Sequence, residues 1–471
     1  MNRVLKTVAV GLALVAPGLA PARAVTYIDW PAFMHDTSHS SFQHSAAAIT
    51  TSNASSLSAA WTWKPAAGTS AQPPNTLFAT PAVYHGVVYE GANTGIFYAL
   101  NESTGKVLWH RDLGYEKTFT CFKRGIISSA SVLADPNTGT PIVYVGGGAG
   151  QLFALDGTTG SVIWKAQVVN TGNSSSQNAG YMWGSPAVAN GKVYIGMSSD
   201  CDSPLIRGGV KAYDATTGKK VATFFTVGSK TVGGSVWSSN AVDPNNGSVY
   251  VTTGNGPGPN SESVLRLDGS SLSKLDGWQI PSGEQIVDSD FGASPTLFSA
   301  TLNNVSTPMV GACNKNGIFY AWKRANLSAG PVWRRTMGPG RGGGAICVAG
   351  AVWDSSGNRL FAAGTDMTIG GKSYPGSVSQ LNPATGVPVW TTGISAGPVL
   401  GGPTLDGGGV LAVVTFNESS PSANKLYLLN ASNGNILATY SANGATFPQP
   451  VFADGYLFFT QRSGGIQALK P

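Results

Sequence analysis

The sequence predicts an all-β chain folded as an eight-bladed β-propeller. Three observations carry that expectation: a composition of turns rather than helices, one repeat that recurs eight times, and two chain ends that complete each other.

Charged residues are only 11% of the chain, whereas Gly numbers 62 and Pro 28. Such a composition supplies many tight turns and few amphipathic helices.

The repeat is clearest in two copies. The first reads Val87-Val88-Tyr89-Glu90-Gly91, Ile96-Phe97-Tyr98-Ala99-Leu100 and Thr104-Gly105-Lys106-Val107-Leu108-Trp109. The next reads Val143-Tyr144-Val145-Gly146, Leu152-Phe153-Ala154-Leu155-Asp156 and Thr159-Gly160-Ser161-Val162-Ile163-Trp164. Each encodes three alternating apolar strands, with a Gly-rich hairpin and then an Asp/Asn-x-x-Thr-Gly turn. Gly takes the positive φ of a tight turn, and the Asp or Asn side chain bonds backbone N–H groups two residues on. Marking each copy by its Ala-Leu-like end gives Leu100, Leu155, Tyr213, Leu267, Trp322, Leu381, Leu429 and Leu469, spaced 40 to 59 residues apart. Repeats of this size that cannot bury both faces alone stack radially.

The last copy stops at Pro471 without its Thr-Gly-x-x-x-Trp strand, and Leu57 to Trp63 looks like that strand with nothing before it. The N-terminal strand is therefore expected to complete the last blade and remove an open edge. Trp109, Trp164, Trp333 and Trp390 are read as blade-to-blade packing.

Residues 1–24 read as a signal peptide, 25–56 as a lead-in segment and 57–471 as the propeller. Arg3 and Lys6 precede the apolar run Val8 to Ala20, and Ala22-Arg23-Ala24 offers a cleavage site after Ala24. A secreted or periplasmic protein is expected. The run is too short to span a bilayer and no later stretch is long enough. Formal charge is +6, and removing Arg3, Lys6 and Arg23 leaves +3. With Lys and Arg scattered, no nucleic-acid partner is expected. Cys121, Cys201, Cys313 and Cys347 fit two disulfides in an oxidising compartment. The pairing taken is Cys121 with Cys201 and Cys313 with Cys347; no CxxC spacing supports zinc or covalent haem.

Four polar segments depart from the repeat. They are Cys121-Phe122-Lys123-Arg124-Gly125, Gly233 to Trp237 followed by Thr253-Gly254-Asn255, Asp288 to Pro295, and Cys313-Asn314-Lys315-Asn316-Gly317. Together they resemble the cofactor site of the pyrroloquinoline quinone (PQQ) dehydrogenases, an eight-bladed family. Asp288-Ser289-Asp290-Phe291-Gly292-Ala293-Ser294-Pro295 is most similar to the polyvinyl alcohol dehydrogenase branch. The resemblance implies a PQQ- and calcium-dependent dehydrogenase for an alcohol, secondary or polymeric, passing electrons to a separate acceptor such as a cytochrome. It implies Asp290 as general base and calcium ligand, Asn255 as a second calcium ligand, and Trp237 as the surface on which the quinone stacks. Arg124, Lys315 and Asn316 would contact the quinone edge, and Cys121 one face.

Two departures stand out. The family has a vicinal cysteine pair where only Cys121 is present. Its usual third calcium ligand, a carboxylate from a loop of the third blade, is expected near Ser203, so Asp202, one residue away, is expected to substitute. The rival reading is a non-catalytic propeller that binds protein or polysaccharide. His35 and His39 in the lead-in are read as loop caps.

Overall fold

The computed structural model describes Met1 and residues 26–116, 124–171, 179–340 and 347–471. Eight sheets form eight antiparallel blades, with Phe42–Gln43 added in parallel to the inner strand Thr404–Asp406. Blade 1 is Ala82–Tyr84, Val87–Gly91, Ile96–Asn101 and Val107–Asp112, from the axis outwards. The remaining blades repeat this order, and the eight marker residues all fall in the third strand. Each blade has four strands, as a four-stranded repeat predicts, of which three carry the visible sequence pattern. The innermost strand is only two or three residues in most blades, such as Ala82–Tyr84 and Ala241–Val242, too short to show alternation.

Ring closure is as expected. Ser58–Trp63 pairs antiparallel with Gly465–Lys470 as the outer strand of blade 8.

The apolar core is a set of seams between neighbouring blades. Tyr89 and Phe97 of blade 1 meet Val143 and Leu155 of blade 2. Val410 and Leu428 of blade 7 meet Phe452 and Leu457 of blade 8. Each fully buried aliphatic or aromatic side chain contributes roughly 1.5–3 kcal/mol.

The Thr-Gly-x-x-x-Trp motif works across these seams. The indole N–H of Trp109 donates to Gly157 O at 2.9 Å, Trp164 to Ala215 O at 2.8 Å and Trp333 to Pro383 O at 2.9 Å. Each acceptor lies in the turn of the next blade. Gly160 of that turn lies on the Trp109 ring with φ +68°, and a Cβ there would sit 2.5 Å from the indole. The turn therefore needs Gly for both its conformation and its close approach. These Trp residues are packing residues, as expected.

Residues 30–43 cross the inner strands near one end of the axis. Backbone bonds run from Val132 N to Pro31 O, Val242 N to Thr37 O, Leu297 N to Ser38 O, Trp353 N to Ser40 O and Leu405 N to Ser41 O. The lead-in thus ties five blades together, and Trp30 pairs with Val83 of a sixth. His39 is buried here with its Nδ1 2.8 Å from Pro295 O, and His35 Nδ1 faces Asp36 at 3.2 Å, so both act as caps.

Near the other end of the inner strands, hydroxyl groups link the blades. Gln449 N donates to Thr80 Oγ1, Thr80 N to Ser129 Oγ, Ser129 N to Ser185 Oγ, Ser185 N to Ser239 Oγ and Ser239 N to Ser294 Oγ, all at 2.9–3.0 Å. This belt holds the segments just before the inner strands, which carry Arg124, Trp237 and Asp290.

Cys313 and Cys347 form a disulfide, as expected, joining the end of a blade 5 strand to the segment that enters blade 6.

Candidate functional site

Asp290 lies between blades 4 and 5 and is only 4% exposed. One carboxylate oxygen accepts the Asn255 backbone N–H at 2.6 Å. The other accepts the Trp237 indole N–H at 3.1 Å and the Lys315 ammonium at 3.0 Å. Close approach of three chain segments makes this possible. A Cβ on Gly254 would meet Asp290 Oδ1 at 3.0 Å, and one on Gly292 would strike the Trp237 six-membered ring at 2.3 Å. Gly254 therefore admits the carboxylate, and Gly292 admits the indole.

Lys315 also bonds Asp288 at 2.8 Å, and its Nζ stands 5.2 Å from the Trp237 ring centroid. Burial works against this ammonium, but Asp290 and Asp288 together outweigh it and hold its pKa above the usual lysine value. The lysine stays charged, locked between two carboxylates.

Asp202 reaches the same place from the long loop of blade 3. Oxygen atoms of Asp202, Asp288 and Asp290 all lie within 4.8 Å of one another. Burial, reinforced by repulsion from Asp290 and Asp288, pushes the Asp202 carboxyl up to about 6. Lys315 offsets part of this charge, but three acids converging on one point remain costly without a further cation. Beside them, Asn255 Oδ1 is buried with no hydrogen-bond partner. An orphaned amide oxygen next to clustered carboxylates is a donor set suited to a hard cation such as calcium. The residues present fit such an ion.

The sequence-predicted residues are thus brought together in four cases, Trp237, Asn255, Asp290 and Lys315, with Asp202 joining them through the carboxylate cluster. Arg124 stands one step away. Its Nε donates to the buried Asp200 at 2.8 Å, its NH2 group approaches Cys201 Sγ at 3.7 Å, and its guanidinium stacks on Trp183 at 4.1 Å. Asp200 and Asp202 share one loop, which connects Arg124 to the acids. Asn316 has its amide engaged within the protein: Nδ2 donates to Glu284 O and Tyr320 Oη, and Oδ1 accepts from Ile318 N. Cys121 lies outside the described residues.

Sequence reasoning missed Asp288, Asp200 and Trp183. Asp288 stood in the quoted motif without a role. Trp183 was legible from the repeat, since Trp183-Gly184-Ser185 and Trp237-Ser238-Ser239 occupy the same place in consecutive blades, each two residues before a belt hydroxyl.

Comparison with known proteins bears on the family and the fold. The PQQ family described as "Glucose/ethanol/alcohol dehydrogenase, beta-propeller domain" matches residues 30–334, and the family of the outer membrane protein assembly factor BamB matches residues 375–471. Quinohemoprotein alcohol dehydrogenase ADH IIB of Pseudomonas putida is 30% identical over 53% of this chain and 40% of its own length. Polyvinylalcohol dehydrogenase of a Sphingopyxis species is 25% identical over 64% of this chain and 51% of its own length. The chain therefore spans about two fifths to one half of these relatives. In fold, it is similar to quinohemoprotein alcohol dehydrogenase from Comamonas testosteroni, with a TM-score of 0.73, 18% identity and coverage of 94% of this chain and 80% of the other. A europium-containing methanol dehydrogenase gives a TM-score of 0.74 at 16% identity, covering 93% and 90%. With eight blades in place and the dehydrogenase propeller matching well over half of the sequence, the chain belongs to the PQQ-dependent dehydrogenase β-propeller family.

Proposed function

We propose that this protein is a PQQ- and calcium-dependent dehydrogenase that oxidises an alcohol, secondary or polymeric, and passes the electrons to a separate acceptor such as a cytochrome. The observation that carries the proposal is the coincidence of Asp290, Asp202, Asp288 and the orphaned Asn255 oxygen beside the Trp237 ring. When bound, the quinone supplies the redox chemistry and calcium the Lewis acidity.

The chain's own residues do the rest. Asp290 is the general base. A carboxylate offers about four lone-pair sites, and the protein donors at Asp290 are Asn255 N, Trp237 Nε1 and Lys315 Nζ. The three donors keep the carboxylate fixed while it receives the alcohol proton. Lys315 has three N–H donors and bonds Asp288 and Asp290 with two. Its third is available to the quinone edge. Trp237 offers a flat polarisable surface for stacking. Asp202, Asp290 and Asn255 are the proposed calcium ligands, with Asp288 as an additional carboxylate held by Lys315. Asn316 shapes the hairpin that carries Lys315.

The proposed location is the periplasm or the extracellular medium. Among the described residues no helix is long and apolar enough to cross a membrane.

One observation favours a second reading, a propeller that binds protein or polysaccharide without catalysis. Arg124, the residue expected at the quinone edge, is already paired with buried Asp200. Substitution of Asp290 separates the readings: Asp290→Ala abolishes dye-linked alcohol oxidation after reconstitution if the enzyme reading holds. Full activity in that variant ends it.

A further inference from the structure

Three cation–aromatic pairs surround the axial mouth. Lys315 lies over Trp237 at 5.2 Å, Arg124 over Trp183 at 4.1 Å and Arg462 over Phe78 at 4.9 Å. The three rings are repeat equivalents, each two residues before a belt hydroxyl at Ser239, Ser185 or Thr80.

Arg462 is also the repeat equivalent of Lys315. Strand register pairs Thr460 with Ile466 in blade 8 and Cys313 with Phe319 in blade 5, so both cations stand two residues beyond the paired position, in the same hairpin. Arg462 therefore holds in blade 8 the hairpin position that Lys315 holds in blade 5. Arg124 is near enough that, after burial, its charge is the next influence lowering the Arg462 pKa.

The three cations differ in their partners. Lys315 holds two carboxylates that are 26% and 6% exposed, and Arg124 holds the fully buried Asp200. Arg462 pairs with Glu418, and both side chains remain open to solvent, at 36% and 55% exposure. Such a pair is weak and readily exchanged. Phe78 meanwhile supports the guanidinium from one side, leaving its N–H fork to meet a planar anion.

Resting on the proposed function, we infer that Arg462 binds a carboxylate of the quinone cofactor, displacing Glu418, and so supplies the anion contact that Arg124 shares with Asp200. PQQ is a flat polycarboxylate, and two neighbouring cations with one exchangeable counter-ion form a site for such a group.

The test titrates PQQ into cofactor-free protein at saturating calcium, following quinone absorbance and tryptophan fluorescence. Arg462→Gln is expected to weaken PQQ binding about 10- to 100-fold, the range for loss of a charge-assisted hydrogen bond, and Arg462→Lys less. Glu418→Gln, which removes the competitor, is expected to tighten binding and gives the opposite sign in case Arg462→Gln does not fold. Arg462→Gln binding PQQ within about twofold of the wild type, or Glu418→Gln weakening it, overturns the assignment while the proposed function stands. A raised KM for the alcohol with unchanged PQQ affinity also overturns it, placing the anion on the substrate. Failure of the wild type to bind PQQ at all removes both the assignment and the proposed function.

Discussion

The outer seams and the axial mouth use the same repeat in opposite ways. In the seams, Trp109, Trp164 and Trp333 all make one interaction, an indole N–H to a carbonyl of the next blade. At the mouth, the equivalent hairpin position is Lys315 in blade 5 and Arg462 in blade 8, and the position before the belt is Phe78, Trp183, Trp237 or Gly292. Sameness in the seams gives a rigid ring, and difference at the mouth gives a site. Changes in the seams should therefore alter stability and leave chemistry intact, with the reverse at the mouth.

The largest effect is expected at the mouth. Asp290→Asn keeps the size of the side chain and removes the base, so the reconstituted enzyme should lose about 10²- to 10⁴-fold in kcat with its melting temperature within a few degrees of the wild type. A comparable loss of stability would show that Asp290 is a structural group. In the seams, Trp164→Ala should cost about 3–5 kcal/mol in denaturant unfolding and leave kcat unchanged while the protein is folded. A selective loss of kcat would break the distinction.

Where the lead-in crosses the inner strands, a buried histidine gives a pH signature. Burial pushes the His39 imidazole down to about 4, against the weaker pull of the Pro295 carbonyl and Asp36. Its unfolded value is 6.5, so between pH 6.5 and 4 the unfolded chain binds a proton that the folded protein refuses. Stability therefore falls as pH falls through that window, by about 3 kcal/mol from this group. His39→Gln should flatten that limb relative to the wild type; an unchanged slope would remove His39 as its cause. The smallest expected effect concerns Asn255. Its Oδ1 has no protein partner, so Asn255→Ala should shift metal-free stability by less than about 1 kcal/mol, while calcium raises the melting temperature of the wild type more than that of the variant.

Much of this was legible in the sequence because strand and turn chemistry repeats. The Ala-Leu-like strand ends gave the blade count, and the unpaired Trp61 strand gave the closure. The innermost strands were too short to show a period, and the passage of residues 30–43 across the axis leaves no pattern because its bonds are made by backbone. At the site, Trp237, Asn255, Asp290 and Lys315 stood in motifs that resemble one family. Asp288 stood in one of those motifs without a role, and Asp200 and Arg462 stood in none; their meaning comes from neighbours far along the chain, such as Arg124 for Asp200 and Lys315 for Asp288.

The central claim is that one flat quinone and one calcium ion share this mouth. Equilibrium titration of purified protein with PQQ, with and without calcium, tests it most directly through the absorption band of bound quinone. Saturable, calcium-dependent binding that is lost in a protein carrying both Asp290→Asn and Asp202→Asn is the predicted result. No bound band at saturating quinone and calcium would contradict it.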